Sequence, residues 1–72
     1  MYKVEFAFEK RSPLEIDLCT GEFVTVLAKH DEAGNPEWWL VENETAVQGY
    51  APAAYLRQLL LPGINEPQNL LS

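Results

Sequence analysis

Residues 34–55, GNPEWWLVENETAVQGYAPAAY, carry the clearest structural signals in the chain. After the turn-forming residues that open it, Trp38–Glu42 is rich in aromatic and branched side chains, which favour a β-strand. Residues 43–44 form a predicted tight turn, and Ala46–Ala51 is a second extended segment. Together they predict a β-hairpin. At residues 52–55, a proline that presets φ begins a predicted single 3₁₀ turn.

The same reading extends to both sides of this hairpin. Lys3–Phe8 alternates charged or small residues with apolar ones, which predicts a first strand. Glu22–Ala28 is rich in β-branched and aromatic residues and predicts a second. Turn signals mark a long hairpin-like loop over 9–21 and another loop over 29–37, and 56–58 would form a short last strand. Several short strands without a helical period predict a small antiparallel barrel or sandwich.

Size and composition limit the chain to one domain. Its 72 residues are 47% apolar and 22% charged, which suits a compact core. Cys19 and His30 are the only residues of their types, so an internal disulfide and a Cys/His zinc site are excluded. No apolar segment approaches the roughly 20 residues that cross a bilayer. We expect a cytoplasmic domain of a larger chain.

The charge excludes several classes of partner. Five basic against eleven acidic residues give a net charge of −6, which repels nucleic acid and anionic lipid headgroups. A basic peptide is the better electrostatic match.

One histidine and one cysteine supply little for catalysis, so we expect neither an enzyme nor a bound cofactor.

Trp38 and Trp39 are adjacent and are the only tryptophans. Because successive side chains on a strand point to opposite faces, only one of them can enter the core. The other must lie on the opposite face of the strand, where it needs a role other than core packing.

The order of these segments resembles the Src homology 3 (SH3) domain, from about residue 4 to residue 57. The resemblance implies an all-β, five-stranded antiparallel SH3-like barrel over 1–57, with a 3₁₀ turn before the last strand. Residues 58–72 would be a C-terminal extension, partly docked or flexible. The matching motifs, in order, are VEFAF at 4–8, SPLEIDL with GE at 12–22, the loop at 29–37, the tryptophan pair at 38–39 and GYAPAAY at 49–55.

By the same resemblance, the chain is a protein interaction module that binds proline-rich peptides. Trp38 would face the ligand, and Trp39 would pack across strands on the other face. Glu15 would pair with a ligand Arg or Lys, supported by other acids that include Asp31 and Glu32. The residues implied to bind peptide are Phe6, Phe8, Glu15, Asp17, Glu37, Trp38, Tyr50, Pro52 and Tyr55.

Four residues of the ligand-binding segments depart from the family pattern. Phe6 and Phe8 replace common tyrosines, Ala7 replaces a common Asp, and Ala54 replaces an Asn that often donates to the ligand. Each lost neutral hydrogen bond costs about 0.5–1.5 kcal/mol, so two losses weaken binding roughly tenfold or more unless other contacts compensate. We therefore expect weak PxxP binding, an unusual motif, or use of a different face.

Some apolar residues lie on the strand face opposite to the ligand-facing residues, and others occupy positions that are apolar in the SH3 family. Together they predict the core. These positions are Ile16, Leu18, Val24, Val26, Val41, Gly49 and Leu56. Ala51 stands where a larger aliphatic residue is common, which would leave a small cavity. We hypothesise that Leu59–Leu61 folds back to fill it; the alternative is an exposed linker or the cut end of a fragment.

Two functions stay open on the sequence. The first is an adaptor that recognises a proline-rich segment with a basic anchor, and the second is a structural or intramolecular interface within a larger protein. Residues 31–40 are similar to those in some SH3 domains of Rho-family exchange factors and cytoskeletal or endocytic scaffolds. We expect the isolated domain to be a monomer.

Overall fold

The computed structural model describes residues 1–59, and they form one antiparallel sheet curled into a half-barrel. The order of the strands across the sheet is β4-β3-β2-β1-β5. The predicted all-β fold of five antiparallel strands, with a 3₁₀ turn before the last one, is confirmed. The elements are β1 (Tyr2–Val4), β2 (Phe23–Ala28), β3 (Trp38–Asn43), β4 (Gln48–Pro52), the 3₁₀ turn (Ala53–Tyr55) and β5 (Leu56–Gln58).

The β3–β4 hairpin exists as predicted, but its turn is longer. Strand β4 begins at Gln48, so the predicted start at Ala46 is wrong by two residues. The Asn43 side-chain oxygen accepts hydrogen bonds from the N–H groups of Thr45 and Val47 at 2.9 and 3.0 Å. Ala46 adopts the left-handed conformation with φ 67°. The Asn43 side chain therefore organises a wide turn where the sequence predicted a two-residue one.

Strand β1 is shorter than the predicted Lys3–Phe8. It ends at Val4, because the next two N–H groups, of Glu5 and Phe6, both donate to the carbonyl of Tyr55, at 2.7 and 3.4 Å. The chain bends there and rejoins another segment only at Phe8, which pairs with Leu18. This bend carries Phe6 away from the core and onto the surface, where it is 57% exposed.

The core lies inside the curled sheet and is closed by the long loop between β1 and β2. Six of the seven predicted core residues are buried, and Val26 is half-buried and packs against the others. Val4 and Ala51 also belong to the core. The buried apolar residues are Val4, Ile16, Leu18, Val24, Val41, Ala51 and Leu56.

Residues 60–72 lie outside the described part of the chain. Most of the predicted C-terminal extension, and two of the three residues in the hypothesis on Leu59–Leu61, therefore fall outside the described residues. Gln58 is the last residue of β5, and the Leu59 N–H donates to the Met1 carbonyl at 3.2 Å. Over residues 1–59, no helix is long and apolar enough to cross a membrane.

Candidate functional site

The long loop over residues 9–21 is fixed against the start of β4. Its Ile16 N–H donates to the carbonyl of Tyr50 at 3.2 Å, and the Tyr50 N–H donates to the carbonyl of Leu14 at 2.9 Å. Gly49 permits this close crossing. A Cβ at Gly49 would lie 2.9 Å from the carbonyl carbon of Glu15 and 2.9 Å from the Cβ of Ile16. Gly49 leaves room for the loop, and these two backbone hydrogen bonds hold Glu15 beside Tyr50.

Four aromatic rings form a continuous series on the surface, which we name the aromatic row. Phe6 contacts Tyr55 with ring centroids 6.0 Å apart, Tyr55 contacts Phe8 at 5.9 Å, and Phe8 contacts Trp38 at 5.8 Å. All three pairs pack edge to face, the arrangement that the charge distribution of aromatic rings favours. The bend after β1 and the 3₁₀ turn bring these residues together from three parts of the chain.

An open groove of about 680 Å³, the aromatic groove, lies along this row. Trp38 and Pro52 face each other across the β3–β4 register, and the Ala53 N–H donates to the carbonyl of Glu37 at 2.9 Å. This bond ties the 3₁₀ turn to the residue that precedes β3. The residues lining the groove are Phe8, Arg11, Pro36, Glu37, Trp38, Pro52, Ala53, Ala54 and Tyr55.

The two tryptophans have different surroundings. Trp39 packs against the core and edge-on to Tyr2 at 5.3 Å, and its indole N–H donates to the Pro36 carbonyl at 2.9 Å. Trp38 lines the aromatic groove, and no acceptor for its indole N–H is found among residues 1–59. The indole of Trp38 is therefore available as a donor to a bound molecule.

A second depression of about 270 Å³, the acidic pocket, lies on the other side of Trp38. It brings Glu15 from the long loop together with Asp31 and Glu32 from the loop before β3. Leu14, which is 59% exposed, adds an apolar wall. The residues lining this pocket are Ser12, Leu14, Glu15, Asp31, Glu32, Ala33, Trp38 and Tyr50.

The carboxylates of Glu15, Asp31 and Glu32 differ in how many hydrogen bonds and ion pairs they already make within the domain. One oxygen of Asp31 accepts the N–H groups of Ala33 and Asn35, both at 2.9 Å. One oxygen of Glu15 accepts the backbone N–H of Arg11 at 2.8 Å and lies 3.5 Å from the Nε of the same residue. Glu32 has no hydrogen bond or ion pair with any other residue of the described range. It is the carboxylate most open to a ligand.

Of the nine residues predicted for the site, seven line one or both depressions. Phe6 lies at the end of the aromatic row and contacts Tyr55 without lining the groove. Asp17 lines neither depression, and its carboxylate accepts the N–H of Lys10 at 2.7 Å. Glu37 forms part of the groove wall. The structure thus gathers the predicted residues except Asp17 on one face.

Sequence reasoning missed Arg11 and Leu14, which line the site. Arg11 stands four residues before Glu15, but in a loop this spacing predicts no contact, since the rule for neighbouring side chains applies to helices. Leu14 follows Pro13 in a turn, where exposure is ordinary. Both contacts depend on how the long loop folds over β4.

Comparison with known proteins agrees with this geometry. Residues 3–53 match the family model described as SH3 domain. The chain is 40% identical over 57 residues to Rho guanine nucleotide exchange factor 37 of Homo sapiens. The aligned segment covers 79% of this chain and 8% of that protein.

Two further relatives have different names. Myosin-1 of Sclerotinia sclerotiorum is 41% identical over 61 residues, 85% of this chain and 5% of that protein. Dynamin-binding protein of Homo sapiens is 33% identical over 58 residues, 81% of this chain and 4% of that protein. The chain therefore spans less than a tenth of the length of each of these three relatives. The predicted resemblance to domains of Rho-family exchange factors and scaffolds is confirmed.

Proposed function

The chain belongs to the SH3 domain family, whose members are non-catalytic protein interaction modules, and we propose that its aromatic groove binds proline-rich peptides. The observation that carries this proposal is the aromatic row, with a donor indole at its end and an acidic pocket beyond it. A polyproline II peptide is a stiff, three-sided rod, and it docks into grooves lined by aromatic rings. The groove supplies such rings on a single face.

Trp38 is the central residue of the proposed site. Its ring lines both depressions, so it separates the proline-binding part from the anchor-binding part. The carbonyl groups of a polyproline II segment make no internal hydrogen bonds, and they can accept from the indole N–H of Trp38. Pro52 and Tyr55 complete the apolar walls of the groove.

The acidic pocket would receive a ligand Arg or Lys. Glu15, Asp31 and Glu32 converge there, and the net charge of −6 attracts a basic segment over a longer range. A carboxylate and a guanidinium bind with a defined geometry, so this contact would set the direction of the peptide. Glu37, on the groove wall, is a supporting acid in this proposal, and Asp17 is the least supported of the predicted residues.

We propose that the affinity is modest. Phe6 and Phe8 bring no hydroxyl groups to the aromatic row, and Ala54 presents a methyl group where it lines the groove. The side-chain donors that line the two depressions include the indole of Trp38, the hydroxyl groups of Tyr50 and Tyr55, and the guanidinium of Arg11. Losing two neutral hydrogen bonds, at about 0.5–1.5 kcal/mol each, lowers peptide affinity roughly tenfold or more.

The names of the relatives support a setting for this activity. A Rho guanine nucleotide exchange factor, a myosin and a dynamin-binding protein each contain a segment similar to this chain. We propose that the chain is one module of a larger cytoplasmic protein of signalling or the cytoskeleton, and that it has no enzymatic activity of its own.

The test is the affinity of the domain for PxxP peptides that carry Arg before or after the proline core, measured by isothermal calorimetry. Replacing Trp38 by Ala should lower the affinity roughly tenfold or more, since large buried aromatics dominate such interfaces. Val47→Ala is the matched control, because Val47 is 50% exposed and lines neither depression.

Salt provides a second readout. The affinity for the Arg-containing peptide should decrease as the NaCl concentration rises. The affinity for a peptide with alanine in place of that Arg should depend much less on NaCl. If Trp38→Ala binds as tightly as the wild type, the aromatic groove is not the site. Absence of binding to any PxxP peptide at millimolar concentration would favour the structural or intramolecular interface.

A further inference from the structure

Arg11 occupies the boundary between the aromatic groove and the acidic pocket. We propose that Arg11 is a specificity-determining residue, an internal cation that competes with the basic anchor of a ligand for Glu15. This inference rests on the proposed function and adds a feature of this particular chain. It predicts a domain that discriminates weakly between peptides with and without a basic anchor at Glu15.

The first support is the double engagement of Glu15. One carboxylate oxygen accepts the backbone N–H of Arg11 at 2.8 Å, and the same oxygen lies 3.5 Å from the Nε of the Arg11 side chain. The side chain of Glu15 is only 16% exposed, whereas that of Arg11 is 67% exposed. An incoming guanidinium would therefore find Glu15 partly covered and its charge balanced.

The second support is the position of the guanidinium over the aromatic row. Its central carbon lies 5.7 Å from the ring centroid of Phe8 and 5.5 Å from that of Trp38, both within cation–π range. A ligand Arg that paired with Glu15 beside Trp38 would approach the same carboxylate and the same ring. The two cations therefore compete for Glu15.

The third support is that the competition is weak enough to be overcome. Exposed ion pairs of this kind change binding or stability by a few-fold, so removing the Arg11 side chain should raise affinity by about two- to fivefold. With Arg11 in place, Glu32 is the open carboxylate of the acidic pocket. A basic anchor would then bind towards Glu32, at a site that needs no displacement.

Lys10 provides a matched control for net charge. It is the adjacent residue, it is exposed, and its backbone N–H donates to Asp17 independently of its side chain. Its ammonium group makes no ion pair or cation–π contact with any residue of the range 1–59. Lys10→Gln therefore removes one positive charge, as Arg11→Gln does, without touching the proposed competition.

The experiment is a double-mutant cycle read by calorimetry, with wild type, Arg11→Gln, Glu15→Gln and the double variant. Each is titrated with an Arg-anchored PxxP peptide and with the same peptide carrying alanine at the anchor. Arg11→Gln should bind the anchored peptide about two- to fivefold more tightly and the other peptide within about 1.5-fold of wild type. Glu15→Gln should change binding by less than about twofold alone, but it should abolish the gain in the double variant.

Each of the following outcomes would overturn the proposal. If Arg11→Gln weakens both peptides, the guanidinium contacts the ligand directly. If Lys10→Gln gives the same gain, the effect is one of net charge. If Glu15→Gln has the same effect in both backgrounds, the two side chains are not coupled. Urea unfolding of each variant checks that the fold is intact.

The failure of this inference is distinguishable from the failure of the proposed function. If the wild type binds peptide through Trp38 and Arg11→Gln leaves its affinity unchanged, only the competition is refuted. If neither the wild type nor any variant binds peptide, both are refuted, because relief of the competition should have revealed binding in Arg11→Gln.

Discussion

Replacing Gly49 with alanine should destabilise the domain and displace the long loop from the site. The added Cβ would lie 2.9 Å from the carbonyl carbon of Glu15 and 2.9 Å from the Cβ of Ile16, whereas ordinary contact begins at 3.4 Å. Neither neighbour is the end of a flexible side chain. The loop must therefore move as a unit, and it carries Glu15 with it.

Two opposing terms give the magnitude. A glycine within a strand makes the folded protein less stable than an alanine would, by about 0.5–1 kcal/mol. Without a clash, Gly49→Ala would therefore stabilise the protein. Overpacking a tight site costs about 1–3 kcal/mol. We expect a net loss of about 1–2 kcal/mol, which for a domain of this size lowers the melting temperature by about 4–15 °C.

The assay is thermal and urea unfolding, together with backbone amide shifts. The amides of Glu15, Ile16 and Tyr50 should shift in Gly49→Ala. The control is Gly34→Ala, because a Cβ at Gly34 meets nothing within 4 Å but the residue has φ +82°. It should lose roughly 1 kcal/mol through backbone strain alone and leave those amides unmoved. Unchanged or increased stability of Gly49→Ala would refute the argument.

Three further substitutions probe the hairpin turn and the groove. Ala46→Gly should raise the free energy of unfolding by about 0.5–1 kcal/mol, because Ala46 has φ 67°; a loss in urea unfolding would contradict this. Asn43→Ala removes the acceptor for the N–H groups of Thr45 and Val47 and should cost about 1–2 kcal/mol in urea unfolding with unchanged peptide affinity. Ala54→Asn should raise PxxP affinity by about two- to tenfold, measured by calorimetry; an unchanged affinity would show that an amide there reaches no ligand group.

The sheet was predictable because its signals are local. Alternation, β-branched residues and turn residues predicted the strands, and the parity of a strand was enough to assign Trp38 and Trp39 to opposite faces. The order of motifs then gave the topology by resemblance. These features depend on short stretches of sequence, so they are visible without knowledge of long-range contacts.

Two predicted features were wrong, one because of a contact between distant segments and one because of side-chain contacts within a turn. Alternation predicted one strand over Lys3–Phe8, but the chain bends after Val4, where two N–H groups donate to the carbonyl of Tyr55, so Val4 is buried and Phe6 is exposed. The hairpin turn is wider because a single side chain, Asn43, accepts from two backbone groups. Alternation of apolar and polar residues specifies neither of these hydrogen-bond arrangements.

The same reason applies to the site. The aromatic residues could be predicted from motif positions, whereas the place of Arg11 over Phe8 and Trp38 follows from how the long loop crosses Gly49. Loop side chains have no periodicity that would predict their neighbours.

The proposed peptide site is best tested by a heteronuclear NMR titration with an Arg-flanked PxxP peptide that follows the two indole N–H signals separately. The Trp39 indole already donates to the Pro36 carbonyl, so it serves as an internal reference. We predict that the Trp38 indole and the amides of Glu15 and Tyr55 shift together and saturably, with the Trp39 indole almost unmoved. Absence of any shift at millimolar peptide, or a shift of the Trp39 indole alone, would contradict the proposed peptide site.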